Sequence, residues 1–226
     1  MAELLAARFR IVSIDQRGHG RAAKPATGYA AEDYARDIHD RLTEKTLLIG
    51  HSLGARNALV AGVRYPEKVA GVVAIDFTPF IEREVFDALD ARVTAGERKF
   101  SSLEEVRAYL RGRYPRLPQD AIDRRARHGY ECLEGTWRPL ALPAAMRETC
   151  AGLREDLSPI LKQMRVPVLL LRGADSKLVS REAWAKTKAL RPDLPAHEIR
   201  DADHYVPEEQ PAAVAAAVID FWEAMQ

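Results

Sequence analysis

The stretch Leu47-Leu48-Ile49-Gly50-His51-Ser52-Leu53-Gly54 constrains this chain more than any other, because an apolar strand-like run enters Gly-x-Ser-x-Gly and a helical stretch, Ala55 to Arg64, follows at once. A serine on so sharp a strand-to-helix turn is forced into a strained conformation that lifts its hydroxyl above the sheet edge. The flanking positions must be glycine, since a Cβ there would strike the adjoining helix or strand. The helix N-terminus behind Ser52 points unpaired N–H groups and a positive dipole end at any oxyanion formed on that turn, and Leu53 N–H is the expected first donor. The five letters alone are a weak signal; the strand before and the helix after make Ser52 a candidate nucleophile. His51, its neighbour on a tight turn, is expected to point away from the hydroxyl and to serve as a structural or pocket-wall residue.

Around that turn the apolar runs Phe9 to Ile14, Thr46 to Ile49, Val69 to Ile75 and Val166 to Leu171, with a weaker one at Ala196 to Arg200, read as buried strands. Ala31 to Leu42, Leu53 to Tyr65, Arg181 to Leu190 and Glu209 to Trp222 have the length and apolar spacing of helices, and Pro66 stops the second of them. Alternation of this kind predicts an α/β fold with a mostly parallel sheet flanked by helices. Between Pro79 and Arg165 helical patterns follow one another without a convincing strand. The expected organisation is therefore a core of residues 1–79 and 166–226 with a helical cap at 80–165. Ser102-Leu103-Glu104-Glu105 opens one cap helix with a capping-box pattern. Arg124-Arg125-Ala126-Arg127 reads as a solvated helix face in preference to a contact for an acidic substrate.

Composition narrows the partners. The net charge of +1 leaves no field strong enough to hold a phosphate backbone or an anionic membrane, so neither nucleic acid nor membrane is expected. Cys132 and Cys150 stand apart, without the spacing of a disulfide framework or a zinc site, and no Gly-x-Gly-x-x-Gly appears. No metal and no cofactor are expected, and a reducing cytoplasm is the default location.

Phe9-Arg10-Ile11-Val12-Ser13-Ile14-Asp15-Gln16-Arg17-Gly18-His19-Gly20 resembles the fourth strand and following loop of α/β-hydrolases, and Leu48 to Gly54 resembles their nucleophile elbow. Tyr65-Pro66-Glu67-Lys68-Val69, Pro167 to Asp175 and Asp201 to Val206 are similar to later segments of that superfamily. The resemblance covers nearly the whole chain outside the cap. It implies a serine hydrolase with a catalytic triad, with the general base in the loop after the last strand, here His204. Six histidines compete for that role, and the other five sit in early segments, on the elbow, in the cap or within the last strand. Asp175, after the strong strand Val166 to Leu171, is the first choice of acid, and Ser52, Asp175, His204 is the chain order the resemblance implies. Asp76, at the end of the preceding strand, is the alternative acid. Asp203 is adjacent to the histidine and cannot easily reach its far nitrogen.

Members of that superfamily normally carry two or three strands and a His-Gly oxyanion loop before the segment that starts here at Phe9. Two expectations follow. In one, the strands at Phe9 and Thr46 pair directly, and a backbone N–H of Gln16 or Arg17 replaces the second oxyanion donor, whose loss costs on the order of 3 kcal/mol of transition-state stabilisation. In the other, the sequence is a shortened chain, with Ala2 to Arg8 the remnant of a first helix and an exposed strand edge through which copies could associate. The implied activity is hydrolysis of a small, fairly apolar carboxylic ester through an acyl-serine. Carbon–carbon bond hydrolases, lactonases and cofactor-free haloperoxidases of the same fold are alternatives, as is an impaired or receptor-like member that binds without turnover.

Overall fold

The computed structural model describes residues 1–80, 83–94 and 98–226 of the 226-residue chain. The span expected as a cap includes residues 81, 82 and 95–97, which lie outside the described residues.

Four parallel strands form the central sheet in the order β1-β2-β5-β6: β1 (Thr46–His51), β2 (Val69–Ile75), β5 (Val168–Gly173) and β6 (Ala196–Ile199). Their apolar residues alternate between the two faces with a period of two. Val72, Ala74, Val168 and Leu170 join one core cluster; Val73, Ile75, Leu169 and Leu171 join the other. The first cluster is roofed by α2 (Ala31–His39), α3 (Leu53–Arg64), α8 (Ser158–Gln163) and α9 (Arg181–Leu190). The second is covered by α1 (Ala2–Leu5) and α11 (Pro211–Ala224), with α10 (Val206–Glu209) leading into the latter. Helices on both faces of a parallel sheet explain why β2 and β5 carry unbroken apolar runs.

Between β2 and β5 lie α4 (Arg83–Thr94), α5 (Leu103–Arg113), α6 (Gln119–Gly129) and α7 (Pro143–Gly152), together with a hairpin of β3 (Tyr130–Leu133) and β4 (Thr136–Pro139). The hairpin corrects the expectation that this span holds no strand. It is four residues a side and turns at Glu134-Gly135, both at positive φ, so it offers too little alternation to read from sequence. The expected boundary at 166 also moves: Leu157, Ile160, Leu161 and Met164 already belong to the core beneath the sheet. The capping box at Ser102 is half made. Its hydroxyl accepts from Glu105 N–H at 3.1 Å, while the Glu105 carboxylate accepts from Ser101 and not from Ser102.

The principal departure lies at the N-terminus. Phe9 to Ile14 is not a strand and does not pair with β1, whose ladder partner among the described residues is β2. It runs outside helix and ladder, anchored at its start by Phe9 edge-on to Trp222 (5.8 Å) and by the Arg8–Glu223 ion pair, and at its end by Gln16 against α3. A hollow of about 600 Å³ separates it from β1, with walls that include Ile11, Val12, Ile14, Leu48 and Ile49. The β-branched composition of the run reads as a strand, but a strand needs a neighbour within hydrogen-bonding distance to satisfy its backbone. Those anchors hold it apart from one.

Among the described residues, the backbone N–H groups of residues 10–14 form no hydrogen bond. Hydrogen exchange should therefore find them exchanging almost as fast as an unstructured chain while β5 is strongly protected. Protection of residues 11–14 comparable with β5 would contradict this arrangement.

Candidate active site

Ser52 sits between β1 and α3 with φ 52° and ψ −115°, a strained backbone for a residue with a Cβ. Its N–H is tied to the Ile75 carbonyl at 2.9 Å, which fixes the turn to the end of β2. A Cβ added at Gly50 would lie 2.2 Å from the Gly54 carbonyl oxygen, so strand and helix approach too closely there for any other residue. Leu53 opens α3, and its N–H is among those that no helix can satisfy internally.

His204 lies in the loop between β6 and α10 and is buried. Three anchors hold it. Its Nδ1–H donates to Asp76 Oδ2 at 2.7 Å, its backbone N–H donates to Asp203 Oδ1 at 2.8 Å, and its carbonyl accepts from His51 Nε2–H at 2.6 Å. Gly173 lets this loop come close, because a Cβ there would stand 2.2 Å from the Asp203 carbonyl oxygen. Ser52 and His204 line one cavity of about 40 Å³, with Leu53, Phe77, Val85, Leu153, Leu178 and Val179 as its apolar walls. The hydrogen bond at Nδ1 leaves the lone pair of Nε2 free to take a proton, as a serine nucleophile requires.

The carboxylate that meets this imidazole belongs to Asp76, not Asp175. Asp76 follows the last residue of β2 at φ 49°, its side chain is fully buried, and it accepts from Gly173 N–H (2.9 Å) and Ser176 Oγ–H (2.7 Å) as well as from His204. Asp175 lies past the end of β5 with its side chain 53% exposed, paired with Arg116 at 2.9 Å. The difference is one of direction. The segment after Gly173 turns outward and sends Ser176 back toward Asp76, so Asp175 faces the inserted helices. Asp203 supports the loop backbone through Lys177 and His204 N–H, consistent with its exclusion as the acid.

Several supporting residues escaped the sequence reading. Arg172, buried on β5, donates to the carbonyls of Ala174, Ser176 and Val179 and pairs with Glu198. The loop that carries Ser176, Leu178 and Val179 to the site is thus wrapped around one guanidinium. Arg125, read as part of a solvated face, instead binds Glu208 (2.9 Å) and packs against the touching rings of Tyr114 and Tyr205, at 4.6 and 4.4 Å from their centroids. Arg116 adds Asp175 and Glu209, so two arginines tie the inserted segment to the loop bearing His204. An arginine within a helical charge run gives no hint of a distant carboxylate. A lone Ser two residues after Gly-Ala was equally silent.

Neither Gln16 nor Arg17 lines the Ser52 cavity. Gln16 accepts from Asn57 Nδ2–H at 2.5 Å, and Arg17 turns to Asp37 and the Gly28 carbonyl. These bonds engage the side chains of both residues, and among the described residues the N–H of neither forms a backbone hydrogen bond.

With this geometry in place, relatives can be compared. A family model described as the alpha/beta hydrolase family matches residues 1–217. The chain belongs to the alpha/beta hydrolase family. It is 51% identical over 224 residues to the 2-(acetamidomethylene)succinate hydrolase of Mesorhizobium japonicum, covering 97% of this chain and 81% of that protein. A crystal structure of E-2-(acetamidomethylene)succinate hydrolase superimposes with a TM-score of 0.95 at 51% identity, covering 97% of this chain and 83% of that one. An esterase of Escherichia coli, YbfF, is 26% identical over 218 residues, covering 92% of this chain and 80% of its own length. Membership of the family and this likeness make the chain a hydrolase. Among the described residues no group of His, Cys, Asp and Glu could hold a metal, and no helix is long and apolar enough to cross a membrane.

The low-field Nδ1 proton of His204 distinguishes the two carboxylates. It should be present in the NMR spectrum of the wild type and of Asp175→Asn and lost in Asp76→Asn; its loss in Asp175→Asn alone would reverse the assignment.

Proposed function

We propose that this hydrolase cleaves a small acyl group, acetyl, from the nitrogen of an acetamidomethylene dicarboxylate, through an acyl-serine at Ser52. His204 Nε2 takes the Ser52 hydroxyl proton as Oγ attacks the acetyl carbonyl, and Leu53 N–H receives the oxyanion at the start of α3. The imidazolium then hands that proton to the departing nitrogen as the C–N bond breaks. A water deprotonated by His204 releases acetate and restores Ser52. Asp76 holds the imidazole in the tautomer with Nδ1–H and stabilises its cation, a role the sequence reading gave first to Asp175.

The observation that carries this reading is the cavity between Ser52 and His204. Its volume of about 40 Å³ and its walls of Leu, Phe and Val accommodate one or two apolar carbons beside the reacting carbonyl and no long chain. A 51% identical relative named for an acetamido substrate agrees with that size and moves the reading from ester to amide. Activated acetyl esters would enter the same acyl-enzyme and serve as surrogates.

Acetate release from E-2-(acetamidomethylene)succinate tests the reading. The wild type should release it, Ser52→Ala should not, and Asp76→Asn should lose on the order of 10⁴-fold in kcat while Asp175→Asn stays within a few-fold. Among p-nitrophenyl esters, acetate should be turned over and octanoate refused. Failure to release acetate from the amide by a protein that prefers octanoate would overturn both the substrate and the pocket.

A further inference from the structure

We propose that His51 is a positioning residue for the general base, holding the main chain of His204 at a set distance from Ser52. The inference rests on the reading of Ser52 and His204 given above and adds a residue to it.

His51 is the last residue of β1 and is covalently next to Ser52. Its Nε2–H reaches the His204 carbonyl at 2.6 Å, across 153 positions of sequence, and its ring lies 4.7 Å from the His204 ring. The dipeptide His51-Ser52 therefore carries the nucleophile on one residue and grips the backbone of the base with the other. The remaining anchors of His204 come from other parts of the molecule: Asp76 at the end of β2 holds the ring, and Asp203 holds the N–H. Among the described residues, the bond from His51 is the one that ties His204 directly to the elbow. A sub-ångström drift between a nucleophile and its base matters, because misplacement by about 1 Å costs on the order of 10²-fold in rate.

Neutrality of His51 is part of the device. A carbonyl can accept only from a nitrogen that bears a proton, which selects the Nε2–H tautomer. Burial, and the neighbouring His204, push the His51 pKa down to about 3. The ring thus remains an uncharged donor and adds no positive charge beside the imidazolium that forms on His204. Tyr205 completes the stack at 5.9 Å from the His51 ring, and Arg125 beyond it is paired with Glu208.

Two variants separate the hydrogen bond from packing: His51→Phe keeps a ring and loses the donor, and His51→Gln keeps an N–H near the same place. The second-order rate of Ser52 labelling by a fluorophosphonate, followed by intact mass, reads base-assisted reactivity without a substrate. His51→Phe should label about 10- to 100-fold more slowly and lose kcat in the same proportion, with KM within about threefold, and His51→Gln should recover most of the loss. A His51→Phe protein that labels as fast as wild type, or a folded His51→Gln protein as slow as His51→Phe, would overturn the proposal. The wild type offers a check that needs no substitution: ¹⁵N shifts at neutral pH should show His51 protonated at Nε2, and a ring protonated at Nδ1 instead would exclude the bond. Wild-type protein that fluorophosphonate does not label would defeat the Ser52 reading itself, a result distinct from equal labelling of wild type and His51→Phe.

Discussion

The arrangement of the site depends on the buried carboxylate of Asp76. Three donors from different stretches of chain converge on it: Gly173 N–H from the end of β5, Ser176 Oγ–H from the loop beyond, and His204 Nδ1–H from the loop after β6. A carboxylate stripped of water is tolerable only when hydrogen bonds replace its hydration, and these do so. The same bonds join β2 and two loops that share little local structure. Removing the whole carboxyl group would leave three donors without their acceptor, so the group that meets the imidazole is also what gathers the loops.

Much of the fold was legible in the sequence because it follows from periodicity. β2 has the bounds expected for it, Val69–Ile75, and α9 those expected at Arg181–Leu190, since each is an apolar or amphipathic run closed by turn residues. The elbow was legible from Gly50, Ser52 and Gly54 between strand and helix. The acid was not, because strand order decides it. β2 lies between β1 and β5, so its C-terminal end stands directly beside Ser52, whereas Asp175 leaves β5 on a loop that turns outward. A charged residue directly after seven apolar strand residues was the available signal. The strong strand Val166 to Leu171 ahead of Asp175 outweighed it, the chain order being the same for either acid.

The segment Phe9 to Ile14 shows a different failure, in which a β-branched run with the composition of a strand joins no ladder. Those residues favour extended backbone, yet they lie in neither helix nor ladder. Whether extended chain becomes strand depends on a neighbour, and tertiary anchors at Trp222 and Asn57 decide where this one lies. The cap-like segment illustrates the same limit with charges. Arg124 stays on an exposed helix face beside Asp120, while its neighbour Arg125 reaches Glu208 and two tyrosines. Adjacent identical residues in a helix are rotated by about 100° from each other, and only packing decides which of them meets a partner.

Among the described residues no strand ladders onto the outer side of β1, yet the elbow that carries Ser52 is secured from the other side. β1 is laddered to β2 along its whole length, Ser52 N–H is bonded to Ile75, and α3 carries eight buried residues against the sheet. The hollow beside β1 touches Gly50, His51 and Gly54 but includes neither Ser52 nor His204 in its walls. The hollow therefore lies behind the turn, while Ser52 and His204 line the small cavity on its other side. Separation of this kind lets the strained turn persist, since its strain is borne by β2 and α3, whose packing does not depend on what lies beyond β1.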